Sequence, residues 1–310
     1  MSPTRITKDN ARAILAHYDH ILFDCDGVLW LGPDAIPNVQ EAVSALEKQG
    51  KTFAFASNNS SVSRNTYHEK FKRLGYKGLQ KSQYFPTCYS AATCIREKLQ
   101  IPIGSKVWVL GDHGIEQELQ EAGYVPLGGT DPRLDAPFDP DHELLIVDKD
   151  VKAVVVGSTK SFNYMRIALT LQYLLANDKS IPFIGTNIDR TYPGPRGLVL
   201  PAGGSVVEYM AYTADRRFID VGKPSQVLLD AIIDHCKFDR SKTLMVGDTL
   251  YTDIKFGNDG KLGGGAGSSL LVLTGGTSET QLRAQIEHGE SSLTPAFYIE
   301  SFGDLAEYLK

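Results

Sequence analysis

The chain has few cysteines, no long apolar run and no excess of positive charge. Its four cysteines, Cys25, Cys88, Cys94 and Cys236, are scattered over 310 residues without a Cys-x-x-Cys pair. That spacing excludes a zinc ribbon and a disulfide framework, and reads as separate thiols in a reducing compartment. Cys25 stands between two acids, which disfavour its thiolate, so we read it as structural. No apolar stretch is long enough to span a bilayer, and residues 1–8 lack the apolar centre of a secretory signal. The ending Tyr308-Leu309-Lys310 is not a peroxisomal address. We therefore expect a cytoplasmic protein with no membrane partner. Without secretion, the glycosylation sequons in Asn58-Asn59-Ser60-Ser61 carry no meaning. A net charge of −5 provides no basic footprint for nucleic acid.

What is present is an ordinary globular composition, 42% hydrophobic and 22% charged, with length enough for two domains. Within it, Ile21-Leu22-Phe23-Asp24-Cys25-Asp26-Gly27-Val28-Leu29 stands out. An apolar strand delivers Asp24 and Asp26, two positions apart and so on one face, and Gly27 then permits a sharp turn. Two carboxylates at the end of a buried strand repel each other and lose hydration, penalties a divalent cation offsets. In open α/β sheets, ligands bind beyond the carboxyl ends of the strands.

Three later apolar runs end in complementary chemistry. Thr52-Phe53-Ala54-Phe55-Ala56 leads to Ser57-Asn58-Asn59-Ser60, a hydroxyl and successive N–H groups at an expected helix start, suited to an anion or simply to a cap. Gly222-Lys223-Pro224 precedes a helical pattern, and its lysine is either a phosphate partner or a solvated surface charge. Thr243-Leu244-Met245-Val246 runs into Gly247-Asp248-Thr249-Leu250-Tyr251-Thr252-Asp253, where the carboxylates could instead cap a helix.

In this order the four segments resemble the motifs of the haloacid dehalogenase superfamily of phosphohydrolases. The chain is most similar to the branch of eukaryotic 4-nitrophenylphosphatases and 2-phosphoglycolate phosphatases, which includes pyridoxal phosphate phosphatase. Phe23 to Trp30, Ser57-Asn58-Asn59-Ser60 and Val221-Gly222-Lys223-Pro224 carry that likeness, with Lys106-Val107-Trp108-Val109-Leu110-Gly111 and Gly185-Thr186-Asn187 between them.

The resemblance implies a Mg2+-dependent hydrolase of small phosphorylated metabolites. Asp24 would be the nucleophile, forming an aspartyl-phosphate. Asp26 would be the general acid and then base. Mg2+ would sit on Asp24, the Asp26 carbonyl and Asp248, with Asp253 behind them. Ser57, Asn58 and Asn59 would hold phosphoryl oxygens, and Lys223 would offset charge. The implied substrate is 2-phosphoglycolate, with 4-nitrophenyl phosphate as an artificial one. Pyridoxal 5′-phosphate is the alternative, and a silent phosphate-ester binding or regulatory protein is the non-enzymatic one. The branch usually has other residues at Val62, Thr249 and Tyr251. Substrate choice would fall to the loop Asn187-Ile188-Asp189-Arg190-Thr191-Tyr192, with Tyr164 and Arg196, and an arginine there could pair with a substrate carboxylate.

Periodicity predicts helices over 39–49, 64–74, 87–99, 115–122 and 163–175, and strands over 53–56, 107–110, 153–157, 182–187, 269–273 and 296–299. Residues 127–141 read as a long loop, and 192–204 as a Pro- and Gly-dense return to the core. Gly263 to Gly267 lacks nucleotide-loop spacing and reads as a turn. Alternating elements predict an α/β fold, a doubly wound, Rossmann-like parallel-sheet core. The core is expected at 1–103 and 204–310, with an inserted α/β segment at 104–203. In the resembled family this insert is a C2-type cap that closes over the site, and the family suggests a homodimer through it.

Overall fold

The computed structural model describes residues 2–193, 196 and 198–310; Gly194, Pro195 and Gly197, within the run expected to return to the core, lie outside the described residues. Contacts divide the chain into two compact units. One comprises Met1–Ser57, His68–Phe85 and Lys223–Lys310; the other comprises Asn58–Tyr67 and Pro86–Gly222.

The first unit is built on a seven-stranded sheet. Its strand order is Thr4–Arg5, Phe297–Ile299, Ser269–Val272, Thr243–Gly247, His20–Phe23, Thr52–Ser57 and Tyr84–Pro86. The ladders from Thr4–Arg5 across to Thr52–Ser57 are parallel. Strands covered on both faces read as continuous apolar runs rather than alternations, and Ile21, Leu22 and Phe23 are wholly buried. The helix Val39–Lys48 presents Val39, Ala42, Val43 and Leu46 to the core at helical spacing. The strand His20–Phe23 is central, with Thr52–Ser57 on one side and Thr243–Gly247 on the other, so the chain reverses its winding there. Such a switch point opens a crevice at the carboxyl ends. Phe23 is level with both Val246 and Phe55, which brings the three strand ends to one height.

The second unit holds a five-stranded parallel sheet in the order Ile219–Asp220, Phe183–Gly185, Val151–Val156, Lys106–Leu110 and Val125–Gly128. Alternate residues point to opposite faces, and each face has its own core. Trp108, Leu110, Val154 and Val156 pack against the helices Tyr164–Lys179 and Gly203–Ala214. Val107, Val109, Ala153 and Val155 pack against Cys88, Ala91, Ala92 and Ile95 and against Ile115 and Leu119.

These two cores correct the expected boundaries at 103 and 204. The helical stretch formed by Thr87–Thr93 and the π-helical Cys94–Lys98 buries its apolar side on the second unit's sheet, as does Gly203–Ala214. Residues 127–141 are not one loop: Val125–Gly128 is a strand, and Pro132–Asp135 is a 3-10 turn burying Leu134. Residues 192–204 include a hairpin, Thr191–Pro193 with Val199–Pro201, before the helix. The glycine-rich turn is tied down, with the Tyr18 hydroxyl donating to the Gly267 carbonyl at 2.8 Å. Among the described residues, no helix is long and apolar enough to cross a membrane.

Candidate active site

Asp24 follows the strand His20–Phe23, Asp248 follows Thr243–Gly247, and Ser57 ends Thr52–Ser57. The level strand ends therefore deliver all three to one place. Lys223, 1% exposed, joins them. Its ammonium donates to Asp24 Oδ1 at 2.5 Å, to Asp253 Oδ1 at 2.7 Å and to the Ala56 carbonyl at 2.9 Å, matching its three protons. The other Asp253 oxygen accepts from the N–H groups of Asp248 and Thr249 at 3.1 and 3.0 Å. Asp248 accepts from the Thr249 hydroxyl at 3.1 Å and from the Gly276 N–H at 2.6 Å.

Carboxylate oxygens of Asp24, Asp248 and Asp253 lie within 4.8 Å of one another, and all three residues are buried. Glycines make the room. A Cβ built on Gly27, whose φ is +87°, would lie 2.2 Å from Asp248 Oδ2, and one on Gly275 would lie 2.0 Å from it. Burial pushes the Asp24 carboxyl well above its ordinary range; Lys223 opposes the shift, while Asp253 and Asp248 add to it. Burial, then the Asp253 charge, pushes Asp248 up to about 7. For Lys223 burial acts to lower the pKa, but Asp24 and Asp253 outweigh it and hold the ammonium above the ordinary lysine value.

One buried ammonium does not balance three buried carboxylates. Hard oxygen donors with charge left over suit a small divalent cation, and Mg2+ fits this donor set. Asp26 stands outside the trio. It is exposed, and one of its oxygens accepts from the indole N–H of the buried Trp30 at 2.8 Å.

A family model described as haloacid dehalogenase-like hydrolase matches residues 21–125, and a second, HAD-hydrolase-like, matches residues 220–305. A 4-nitrophenylphosphatase of Schizosaccharomyces pombe is 38% identical over 94% of each chain. The chain belongs to the haloacid dehalogenase-like hydrolases. A glycerol-3-phosphate phosphatase of Gallus gallus is 35% identical over 99% of this chain and 96% of its own. A phosphoglycolate phosphatase 2 of Arabidopsis thaliana is 32% identical over 100% of this chain and 99% of its own. Among solved structures, a p-nitrophenyl phosphatase from Archaeoglobus fulgidus aligns with a TM-score of 0.77 at 27% identity, covering 94% of this chain and 98% of that one. Within the haloacid dehalogenase-like hydrolases, then, this chain groups with phosphatases.

Asn58 and Asn59 belong by contacts to the second unit. The Asn58 carbonyl accepts from the Asn187 amide at 2.7 Å and the Thr87 hydroxyl at 3.1 Å, and Asn59 Oδ1 accepts from the Ser61 N–H at 2.8 Å. The Asn59 side chain closes a turn after the strand, and the helix begins at Arg64, where its periodicity places it. Its first N–H is capped by the buried Glu118 carboxylate at 2.6 Å. Tyr164 lines an apolar surface groove with Phe138, Ile167 and Leu171, and Arg190 and Arg196 are exposed. Thr249 serves the carboxylate network directly; Tyr251 is exposed, and Val62 offers its carbonyl to the Cys88 thiol at 3.1 Å. Two site groups escaped the sequence. Trp30 opens the short strand Trp30–Leu31 and stood in the sequence only as the last residue of the Phe23–Trp30 likeness, with no role of its own, whereas Gly275-Gly276 after an apolar strand is a signal that could have been read.

Proposed function

We propose that this hydrolase is a Mg2+-dependent phosphatase of small phosphate monoesters, acting through an aspartyl-phosphate, with 2-phosphoglycolate as its preferred substrate. The observation that carries the reading is the buried trio Asp24, Asp248 and Asp253 around the single Lys223 ammonium. Asp24, the Asp26 carbonyl and Asp248 would hold Mg2+, with Asp253 behind; when bound, the ion supplies charge neutralisation for the carboxylates and phosphoryl oxygens.

An Asp24 carboxylate oxygen attacks phosphorus, forming the aspartyl-phosphate as the ester oxygen leaves. Asp26 gives that oxygen its proton. Its exposed position suits contact with both an ester and water. Asp26 then takes a proton from the water that attacks phosphorus, which releases inorganic phosphate and restores Asp24. Lys223 steadies the Asp24 carboxylate, while Ser57 and the Asn58-Asn59 segment receive phosphoryl oxygens. Substrate choice we assign to the second unit, and its exposed Arg190 and Arg196 offer a cation to a carboxylated ester. Free thiols at Cys25, Cys88, Cys94 and Cys236 support a reducing, cytoplasmic setting for such metabolite clearance.

The phosphoglycolate phosphatase relative supports the named substrate. Glycerol 3-phosphate is a second reading, carried by the Gallus gallus relative. The test is phosphate release with Mg2+ from 2-phosphoglycolate, glycerol 3-phosphate, pyridoxal 5′-phosphate and 4-nitrophenyl phosphate, beside Asp24→Asn. We expect the highest kcat/KM on 2-phosphoglycolate, lost in the variant. A higher kcat/KM on another ester replaces the substrate and keeps the chemistry. No release from any ester leaves a phosphate-ester binding protein.

A further inference from the structure

Asn187 is 1% exposed and lies just beyond the strand Phe183–Gly185. Its Nδ2 donates to the Asn58 carbonyl at 2.7 Å and lies 3.4 Å from Thr186 Oγ1, while its Oδ1 accepts from the Asp189 N–H at 3.2 Å. Gly222 packs on the same residue. A Cβ built there would lie 2.6 Å from the Thr186 carbonyl oxygen and 2.9 and 3.0 Å from Cα and Cβ of Asn187. Next to it, the Val221 N–H donates to the Gly185 carbonyl at 3.1 Å. A third backbone closes around the amide, since a Cβ on Gly203 would sit 2.9 Å from Asn187 Nδ2.

Asn58 and Gly222 are the residues of the second unit that adjoin Ser57 and Lys223 along the chain. A shift in either backbone is carried through one rigid peptide to the neighbouring site residue. Asn187 thus meets both of these residues, Asn58 through its amide and Gly222 through its Cα and Cβ.

The geometry points to Asn187 as a positioning residue for the phosphoryl group, acting through the Asn58 backbone that its amide holds, with Gly222 packed on its Cα and Cβ. This rests on the phosphatase reading of Ser57 and Lys223. Asn187 makes the same Asx turn with Asp189, so it also fixes the first residues of the loop that carries Arg190. Asn187→Asp keeps the volume and that turn but sets an acceptor against the Asn58 carbonyl. Asn187→Ala removes both bonds.

The test is steady-state kinetics of both variants with 4-nitrophenyl phosphate, with inorganic phosphate as inhibitor, and with Mg2+ titrated separately. We expect KM and the phosphate inhibition constant to rise together by roughly 10- to 100-fold. The Mg2+ concentration for half-maximal activity should stay unchanged, because Asp24, Asp248 and Asp253 are untouched. Unchanged constants in folded Asn187→Asp overturn the inference, as does a Mg2+ requirement that rises by the same factor, which is general loosening. If the wild type hydrolyses no ester, the phosphatase reading fails by itself. The inference is then decided by calorimetric binding of inorganic phosphate: weaker binding by Asn187→Asp sustains it, and equal or absent binding in both proteins overturns it.

Discussion

Three buried carboxylates stand against one ammonium, which bonds two of them, and the sign of that imbalance sets the expected response to pH and metal. Asp248 is ordinarily a carboxyl of pKa 3.8, and the fold raises it to about 7. The folded state therefore holds a proton that the unfolded state has released, and stability from this group is present below about pH 4 and is lost as pH rises towards about 7. Metal-free protein should melt at progressively lower temperature between those limits, and the gain from added Mg2+ should grow over the same range as the competing proton leaves. Calorimetric melts with and without chelator check both slopes; a Mg2+ gain that shrinks with rising pH would contradict the assignment. Asp24→Asn divides stability from activity. Burial disfavours the Asp24 charge, so at pH 8 the metal-free variant should melt no lower than wild type. Its turnover should fall by several orders of magnitude. The matched measurements are a melt in chelator and an assay in Mg2+.

At the level of elements, parallel register does the placing. Because Phe23, Val246 and Phe55 are level, residues just past three neighbouring strands meet without any unusual loop. The turn Thr274-Gly275-Gly276, after Ser269–Val272, then closes on Asp248 through the Gly276 N–H. Gly275→Ala would put a Cβ 2.0 Å from Asp248 Oδ2 and must displace that carboxylate. Displacing a supporting contact of this kind costs roughly 10- to 100-fold in metal affinity, read as the Mg2+ concentration at half-maximal activity, with little change in secondary structure by circular dichroism. Much of this element level was legible beforehand. Apolar runs ending in Asp24, Ser57 and Asp248 announce buried parallel strands, because strands covered on both faces need no alternation. The helix Gly203–Ala214 was not legible, since it opens on two glycines directly after a proline-rich run and tertiary burial overrides that weak propensity. Nor could the sequence tell a lone surface lysine from Lys223 at 1% exposure, because burial there depends on partners 199 and 30 residues away.

At the scale of the molecule, the chain changes unit after Ser57, Tyr67, Phe85 and Gly222. The second unit is thus not the single insert that composition suggests. A fragment spanning 104–203 lacks Ile95, Val206, Val207 and Met210, which fill its two cores. At about 1.5–3 kcal/mol for each buried large side chain, that loss of about 6–12 kcal/mol rivals the whole stability of a domain, about 5–15 kcal/mol. A fragment spanning 86–222 keeps all four. We expect cooperative melting by circular dichroism from 86–222 and none from 104–203; the reverse, or two equal transitions, would refute this account of the cores. The longer fragment still loses the Arg64–Glu118 ion pair, 2.9 Å long, and should melt below the intact chain.

Trp30 sits wholly buried with its N–H on the Asp26 carboxylate and the Lys70 ammonium 3.9 Å above its ring. The other tryptophan, Trp108, lies in the second unit, stacked on Tyr173 with ring centroids 4.5 Å apart. Each unit thus carries its own natural fluorophore. Emission from Trp30 is set by the charges at its edge and face, so under the proposed function it should change colour and intensity as Mg2+ or phosphate is titrated in. Trp108→Phe leaves that single lamp burning, and the protein then reports its own occupancy without a dye.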